Sequence, residues 1–208
     1  MSRSIAVVTA GLREPSSTRL LADRLGEAAV RAFEELGETA ELEVVDVRLL
    51  AGAMNNALLT GVEAPELSEA LRAVTSADAV IAVTPIFSGS YNGLFKTFVD
   101  LLGEEALAGT PVLLGATAGT PRHSLAIDHA LRPLFAYLRA LVVPTGVFAA
   151  TDDFGQVSAK ASDGTAPLSD RVERAAGELA ELVLSRGRKV VRDEMADFTP
   201  FDELLGGG

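Results

Sequence analysis

The chain contains no cysteine, which excludes disulfides, thiolate metal centres and thiol redox chemistry at the outset. Aromatic residues make up only 5% of it. A core so poor in rings is filled by Ala, Leu and Val, which suits a parallel sheet covered by helices. Nowhere do apolar residues run on for the ~20 positions that a membrane-spanning helix needs. Positive charge is scarce too: 18 Lys and Arg stand against 29 Asp and Glu, a formal net charge of -11. Such a field opposes nucleic acid and anionic membrane surfaces alike. It leaves room for one anionic ligand, because backbone N–H groups and a single arginine make a locally positive pocket. Met1-Ser2-Arg3-Ser4 leads straight into a strand-like run without an h-region or cleavage site, so the expected location is the cytoplasm.

What is present is 208 residues, 48% of them hydrophobic, enough to fill one core. The expected organisation is a single domain over residues 1–187 with a C-terminal tail over 188–208. Ser4 to Ala10 is a short β-branched run and reads as a buried strand, broken by Gly11 to Ser16. From Ser17, apolar residues recur at three- and four-residue spacing until Gly37 ends a helix. Glu41 to Val47 reads as the second strand, Ala51 to Ala64 as an irregular loop, and Pro65 to Thr75 as a helix with Pro65 in its first turn. Ala77 to Thr84 is a third strand stopped by Pro85, Gly93 to Leu102 a helix, and Pro111 to Ala116 a fourth strand. Leu125 to Ala140 is a helix interrupted by Pro133, and Leu141 to Phe148 is a fifth strand whose Pro144 suits an edge. A polar connection over Ala150 to Pro167 precedes a last helix, Leu168 to Leu184, and a basic cluster of Arg186, Arg188, Lys189 and Arg192. Alternation of strand and helix throughout implies right-handed crossovers and a doubly wound α/β sheet of five parallel strands; in the order 2-1-3-4-5 common to such sheets, the first, third and fourth strands lie side by side.

In such a sheet, ligands sit beyond the C-terminal strand ends where the strand order reverses. Three loops fall there. The first, Gly11-Leu12-Arg13-Glu14-Pro15-Ser16-Ser17-Thr18, ends on a helix N-terminus that offers free N–H donors, with Ser16, Ser17 and Thr18 adding hydroxyls and Arg13 a charge. Ordinary helix capping accounts for the same residues, so both readings stand at this point. The loop matches neither G-x-x-x-x-G-K-[ST] nor G-x-G-x-x-G, which lowers ATP-type and dinucleotide readings. The second, Thr84-Pro85-Ile86-Phe87-Ser88-Gly89-Ser90, joins a flat apolar segment to hydroxyls, as a planar heterocycle requires. The third, Thr117-Ala118-Gly119-Thr120, has a glycine whose backbone comes close to a ligand edge. Arg122 and His123 behind it read as solvated loop residues.

Taken together, these segments resemble the NADPH-dependent FMN reductases of the flavodoxin-like superfamily, over about residues 4 to 150. The resemblance implies that Gly11, Arg13, Ser16, Ser17 and Thr18 hold the FMN phosphate. It implies that Thr84, Pro85, Ile86, Phe87 and Ser88 line the isoalloxazine, and that Thr117, Ala118, Gly119 and Thr120 meet its pyrimidine side. The family often has Ser where Gly11 stands and Asn where Thr18 stands. The stretch from Arg122-His123-Ser124 to Leu131-Arg132-Pro133-Leu134-Phe135 is similar to a narrower subgroup that supplies reduced FMN to luciferase-like monooxygenases. The implied activity is hydride transfer from NAD(P)H to flavin N5, with no side chain assigned as acid, base or nucleophile. The implied assembly is a homo-oligomer, dimer or tetramer. Competing readings are a flavodoxin-type electron carrier, an FMN-containing quinone, azo or metal-ion reductase, and a scaffold whose loops are only capped turns.

Overall fold

The structure, a computed structural model, describes residues 2–155 and 166–186. Its strands are β1 (Arg3–Thr9), β2 (Ala40–Asp46), β3 (Ala79–Phe87), β4 (Ser90–Tyr91), β5 (Pro111–Ala118), β6 (Leu141–Val142) and β7 (Val147–Ala150). Its helices are α1 (Ser17–Glu35), α2 (Ala51–Thr60), α3 (Pro65–Ser76), α4 (Gly93–Leu101), α5 (Arg132–Tyr137) and α6 (Leu168–Arg186). The sheet runs β2-β1-β3-β5, all parallel, with β6 and β7 both pairing with the far side of β5. This is the expected flavodoxin-like order, with two refinements. The fifth strand is split in two, and β4 folds back antiparallel on the end of β3.

Residues alternate across the sheet because side chains in a strand point to opposite faces. Ile5, Val7, Ile81, Val83 and Leu113 pack under α1 and α6. Ala6, Val8, Ala82 and Leu114 pack on the other face, where Phe95, Phe98 and Phe135 fill the space that small residues leave. Each of these fully buried rings contributes about 1.5–3 kcal/mol of transfer free energy.

Four local expectations are corrected. The segment over 51–64 is a helix through Thr60: Ala, Leu and Met are good helix formers, Met54 and Ala57 bury one turn apart, and Gly61 closes the helix at φ 72. Pro85 does not stop the third strand. The register of β1 on β3 ends at Thr9 opposite Val83, so Pro85 lies past the last β1 partner and its missing N–H leaves no gap in that ladder. Leu141 to Phe148 is not one strand: it breaks between Val142 and Val147, around Pro144. The helix expected over 125–140 begins as a wide π-type turn at Ile127–Leu131 and becomes α-helical at Arg132, so the widened turn falls immediately before Pro133, whose missing N–H interrupts the regular ladder.

Two arginines cover the far edge of the sheet. Arg132 donates to the carbonyls of Val143 and Pro144, each at 2.9 Å, and Arg171 donates to the Phe148 carbonyl while pairing with Asp153 at 2.7 Å. Of the basic cluster, only Arg186 is described; Arg188, Lys189, Arg192 and the tail lie outside the described residues, as does most of the polar connection over 156–165.

Candidate functional site

The parallel register sets Thr9, Val83 and Gly115 level across three strands. The chain therefore leaves β1, β3 and β5 on one side of the sheet at nearly one height, and the three loops singled out by sequence emerge together.

Buried polar side chains tie them to one another. Thr18, in the first turn of α1, and Thr117, near the end of β5, are each 2% exposed, and their hydroxyl oxygens lie 2.8 Å apart. Asn92, at the N-cap of α4, accepts from the Phe95 N–H at 2.6 Å and donates its amide to the Ala10 carbonyl at 2.7 Å. Its own N–H donates to the Thr84 hydroxyl at 3.3 Å, and that hydroxyl donates onward to the Pro85 carbonyl at 3.1 Å. Thr84 is thus wholly enclosed and bonded within the fold.

The first loop is shaped by a close approach. A Cβ on Gly11 would stand 2.0 Å from the Ser16 Oγ, so the backbone comes in where no larger residue fits. Ser16 is the N-cap of α1, accepting from the Arg19 N–H at 3.2 Å. Ser17 and Arg13 are exposed, and Arg13 pairs with no carboxylate among the described residues. Glu14 is held by Arg48, which follows β2. Between this loop and the end of β2 lies a cleft of about 280 Å³, lined by Thr9, Arg19, Asp23, Asp46 and Arg48 together with Gly11, Arg13 and Ser16. Thr9 is 1% exposed, and its hydroxyl has no hydrogen-bond partner among the described residues.

The second loop is a tight hairpin. Ile86 pairs with Tyr91 and Phe87 with Ser90, leaving Ser88 at φ 51 and Gly89 at φ 83 as the turn. Positive φ at both central residues is the turn that matches strand twist in a two-residue connection. Pro85 and Ile86 are buried beneath it, Ser88 is exposed, and Phe87 is half exposed at 50%. In the third loop, Ala118 and Thr120 are half-buried and Gly119 is exposed. The Thr120 hydroxyl accepts from the Arg122 N–H at 3.5 Å, starting the single turn Pro121–His123, and Arg122 and His123 both face solvent.

A family model described as NADPH-dependent FMN reductase matches residues 3–155, a span that holds all three loops. The chain belongs to this family. It is an NAD(P)H-dependent FMN reductase, an oxidoreductase that uses FMN and NAD(P)H. The reductase is 35% identical over 180 residues to the FMN reductase (NADPH) of Pseudomonas aeruginosa, covering 86% of this chain and 91% of the relative. It is 37% identical over 190 residues to the NADH-dependent FMN reductase SfnF of Pseudomonas fluorescens, covering 88% and 94%. Among solved structures, an oxidoreductase from Corynebacterium diphtheriae matches at a TM-score of 0.83 and 44% identity, over 89% of this chain and 99% of that one.

The reductase's own residues fit a flavin mononucleotide. A phosphate needs several donors in a small radius, and Ser16, Ser17, Thr18, Arg13 and the first turn of α1 offer them. The orphaned Thr9 hydroxyl is a further buried donor at the floor, which the sequence marks only as a polar residue closing an apolar strand. Asp46 and Arg48 carry no sequence signal for the site at all; only the pairing of β2 with β1 brings them to it.

Proposed function

We propose that the Gly11–Thr18 loop holds the FMN phosphate, through Arg13, the hydroxyls of Ser16, Ser17 and Thr18, and the close backbone at Gly11. The isoalloxazine lies along Pro85, Ile86, Phe87 and Ser88, with Thr84 fixing that segment from beneath, and its pyrimidine side meets Thr117, Ala118, Gly119 and Thr120. What supports this assignment most is the buried hydroxyl pair of Thr18 and Thr117, which locks the phosphate loop to the loop on the opposite wall. Bound FMN supplies the hydride chemistry, accepting from the reduced nicotinamide. The chain supplies position: Phe87 offers an exposed ring at the mouth, and backbone N–H groups at Gly119 and Thr120 favour negative charge on the side they face. No proton-transfer residue is assigned.

Three wider assignments follow from the same reading. The reductase works as a homo-oligomer; residues 49–62 carry no charge, and Leu49, Leu58, Leu59 and Val62 on and around α2 are exposed, an apolar face that sets no like charges against a second copy at the contact itself. It delivers reduced FMN to a flavin-dependent monooxygenase, as the Arg122–Phe135 resemblance suggests. It acts in the cytoplasm, where NAD(P)H is regenerated.

The test is stopped-flow NAD(P)H oxidation with and without free FMN, together with FMN titration of the Ser17→Ala/Thr18→Ala variant. Loss of both hydroxyls weakens FMN by on the order of 1–3 kcal/mol. Unchanged affinity in that variant removes the phosphate assignment, while oxidation that stays slow at every FMN concentration removes turnover of free flavin.

A further inference from the structure

Pro85 takes away a hydrogen bond at the point where the first two loops part, and one side chain gives it back. Just past the end of the β1–β3 ladder, the Ala10 N–H still donates to the Val83 carbonyl at 3.1 Å. In a parallel pair, a residue whose N–H donates to position 83 accepts at its own carbonyl from the N–H of position 85. Position 85 is proline and has no N–H to give. Ala10 is fully buried, and a buried carbonyl without a donor is costly. The side-chain amide of Asn92 fills that place, donating to the Ala10 carbonyl at 2.7 Å from 82 residues away.

We propose that Asn92 is a positioning residue for the flavin: in replacing the N–H that Pro85 lacks, it sets the distance between the phosphate loop and the segment that carries the ring. This rests on the FMN reading of the two loops and deepens it. The residue is 3% exposed, and every polar group it turns inward is used. Its side-chain oxygen accepts from the Phe95 N–H at 2.6 Å, which anchors it to the start of α4. Its own N–H donates to the Thr84 hydroxyl at 3.3 Å, and that hydroxyl donates to the Pro85 carbonyl at 3.1 Å. One residue thus holds the last position before Gly11 and both positions that open the ring segment. FMN reaches across the two, with its phosphate on one and its ring on the other. The gain from binding both ends together depends on how well their spacing is held before the ligand arrives. An asparagine does this with little freedom to lose, because both ends of its short amide are bonded. A flavin without a phosphate has no use for the spacing.

Asn92→Ser separates the two roles. Serine keeps an N-cap acceptor for the Phe95 N–H and the backbone donor to Thr84, and it removes only the donor to Ala10. Dissociation constants for FMN and riboflavin, measured by flavin fluorescence, and kcat and KM for FMN at saturating NAD(P)H are to be compared in the parent, Asn92→Ser, Pro85→Ala and the double variant. In Asn92→Ser, FMN weakens by about tenfold and its KM rises in step, while riboflavin and kcat stay within about twofold. Pro85→Ala restores an N–H that donates to the Ala10 carbonyl, so in that background Asn92→Ser costs FMN less than about twofold. Equal weakening of both flavins, or a fall in kcat with KM unmoved, makes Asn92 a brace of the fold alone and overturns the proposal. So does an Asn92→Ser enzyme that binds FMN as the parent does, or a loss of the same size in both backgrounds. The riboflavin comparison decides the matter in Asn92→Ser by itself, whatever Pro85→Ala does to folding. Failure of the FMN reading looks different: the parent then binds FMN no more tightly than riboflavin, and the spacing falls with the phosphate.

Discussion

The bond between Thr18 and Thr117 allows a test in which folding and binding separate. Replacing either residue with Val keeps the shape and leaves the partner hydroxyl buried with nothing to bond, since both are 2% exposed and stand 2.8 Å apart. Stranding such a group costs about 1–3 kcal/mol, whereas removing both partners at once is close to neutral. In a chain of this size about 1 kcal/mol moves Tm by about 2–4 °C, so each single variant melts on the order of 2–12 °C lower. The double variant Thr18→Val/Thr117→Val recovers most of that. Urea or thermal unfolding of the four proteins, without flavin, gives the coupling between the sites, expected at about 1 kcal/mol or more. FMN titration of the same four adds the functional half. A hydroxyl that accepts from Thr117 keeps its own proton for a phosphate. The double variant is therefore stable and still weak for FMN, by about tenfold. Single-variant effects that add to within about 0.3–0.5 kcal/mol would refute the buried bond. A stable double variant that binds FMN as tightly as the parent would refute Thr18 as a phosphate contact.

Gly11→Ala places a methyl 2.0 Å from the Ser16 Oγ, driving that side chain off the Arg19 N–H; loss of the cap costs about 1 kcal/mol and FMN affinity falls with it, read by melting and titration. Asn92→Ala removes the amide that satisfies the Ala10 carbonyl and the cap on Phe95, so denaturant unfolding shows a loss of about 2–4 kcal/mol. Asn92→Asp keeps the cap alone and falls between. Phe87→Ala, at a half-exposed position, leaves stability within about 0.5 kcal/mol while KM for NAD(P)H or the FMN dissociation constant rises by about tenfold; unchanged kinetics would take Phe87 out of the pocket.

The architecture was legible because its signals are local. Ser4 to Ala10, Ala77 to Thr84 and Pro111 to Ala116 are short apolar runs of strand length, and the helices between them repeat at the helical period. Where local rules conflicted with tertiary context, the reading went astray. Gly52, Asn55 and Asn56 look like breakers, yet the helix they belong to is held by burial of Met54 and Ala57, which no propensity reports. Pro85 looks like a stop until the register shows that β1 has already ended. The three loops were visible as compositions, and the family resemblance arranged them. Their joints were not: Thr18 meets Thr117 across 99 residues, and Asn92 reaches Ala10 across 82. Asp46 and Arg48 are ordinary residues after an ordinary strand, and they matter only because β2 pairs with β1 and brings them to the cleft.

The broken last strand has a consequence for how this molecule keeps company. An open sheet invites further strands to its margin, and that invitation is how aggregates begin. Here the margin offers two short pieces, β6 and β7, too brief to template a ladder, and the carbonyls at 143, 144 and 148 are occupied by guanidinium groups from α5 and α6. A strand adding at this margin would have to strip both arginines from those carbonyls, one of them also from Asp153. At this margin the sheet is closed to a further strand; its other margin is β2, paired on one side alone.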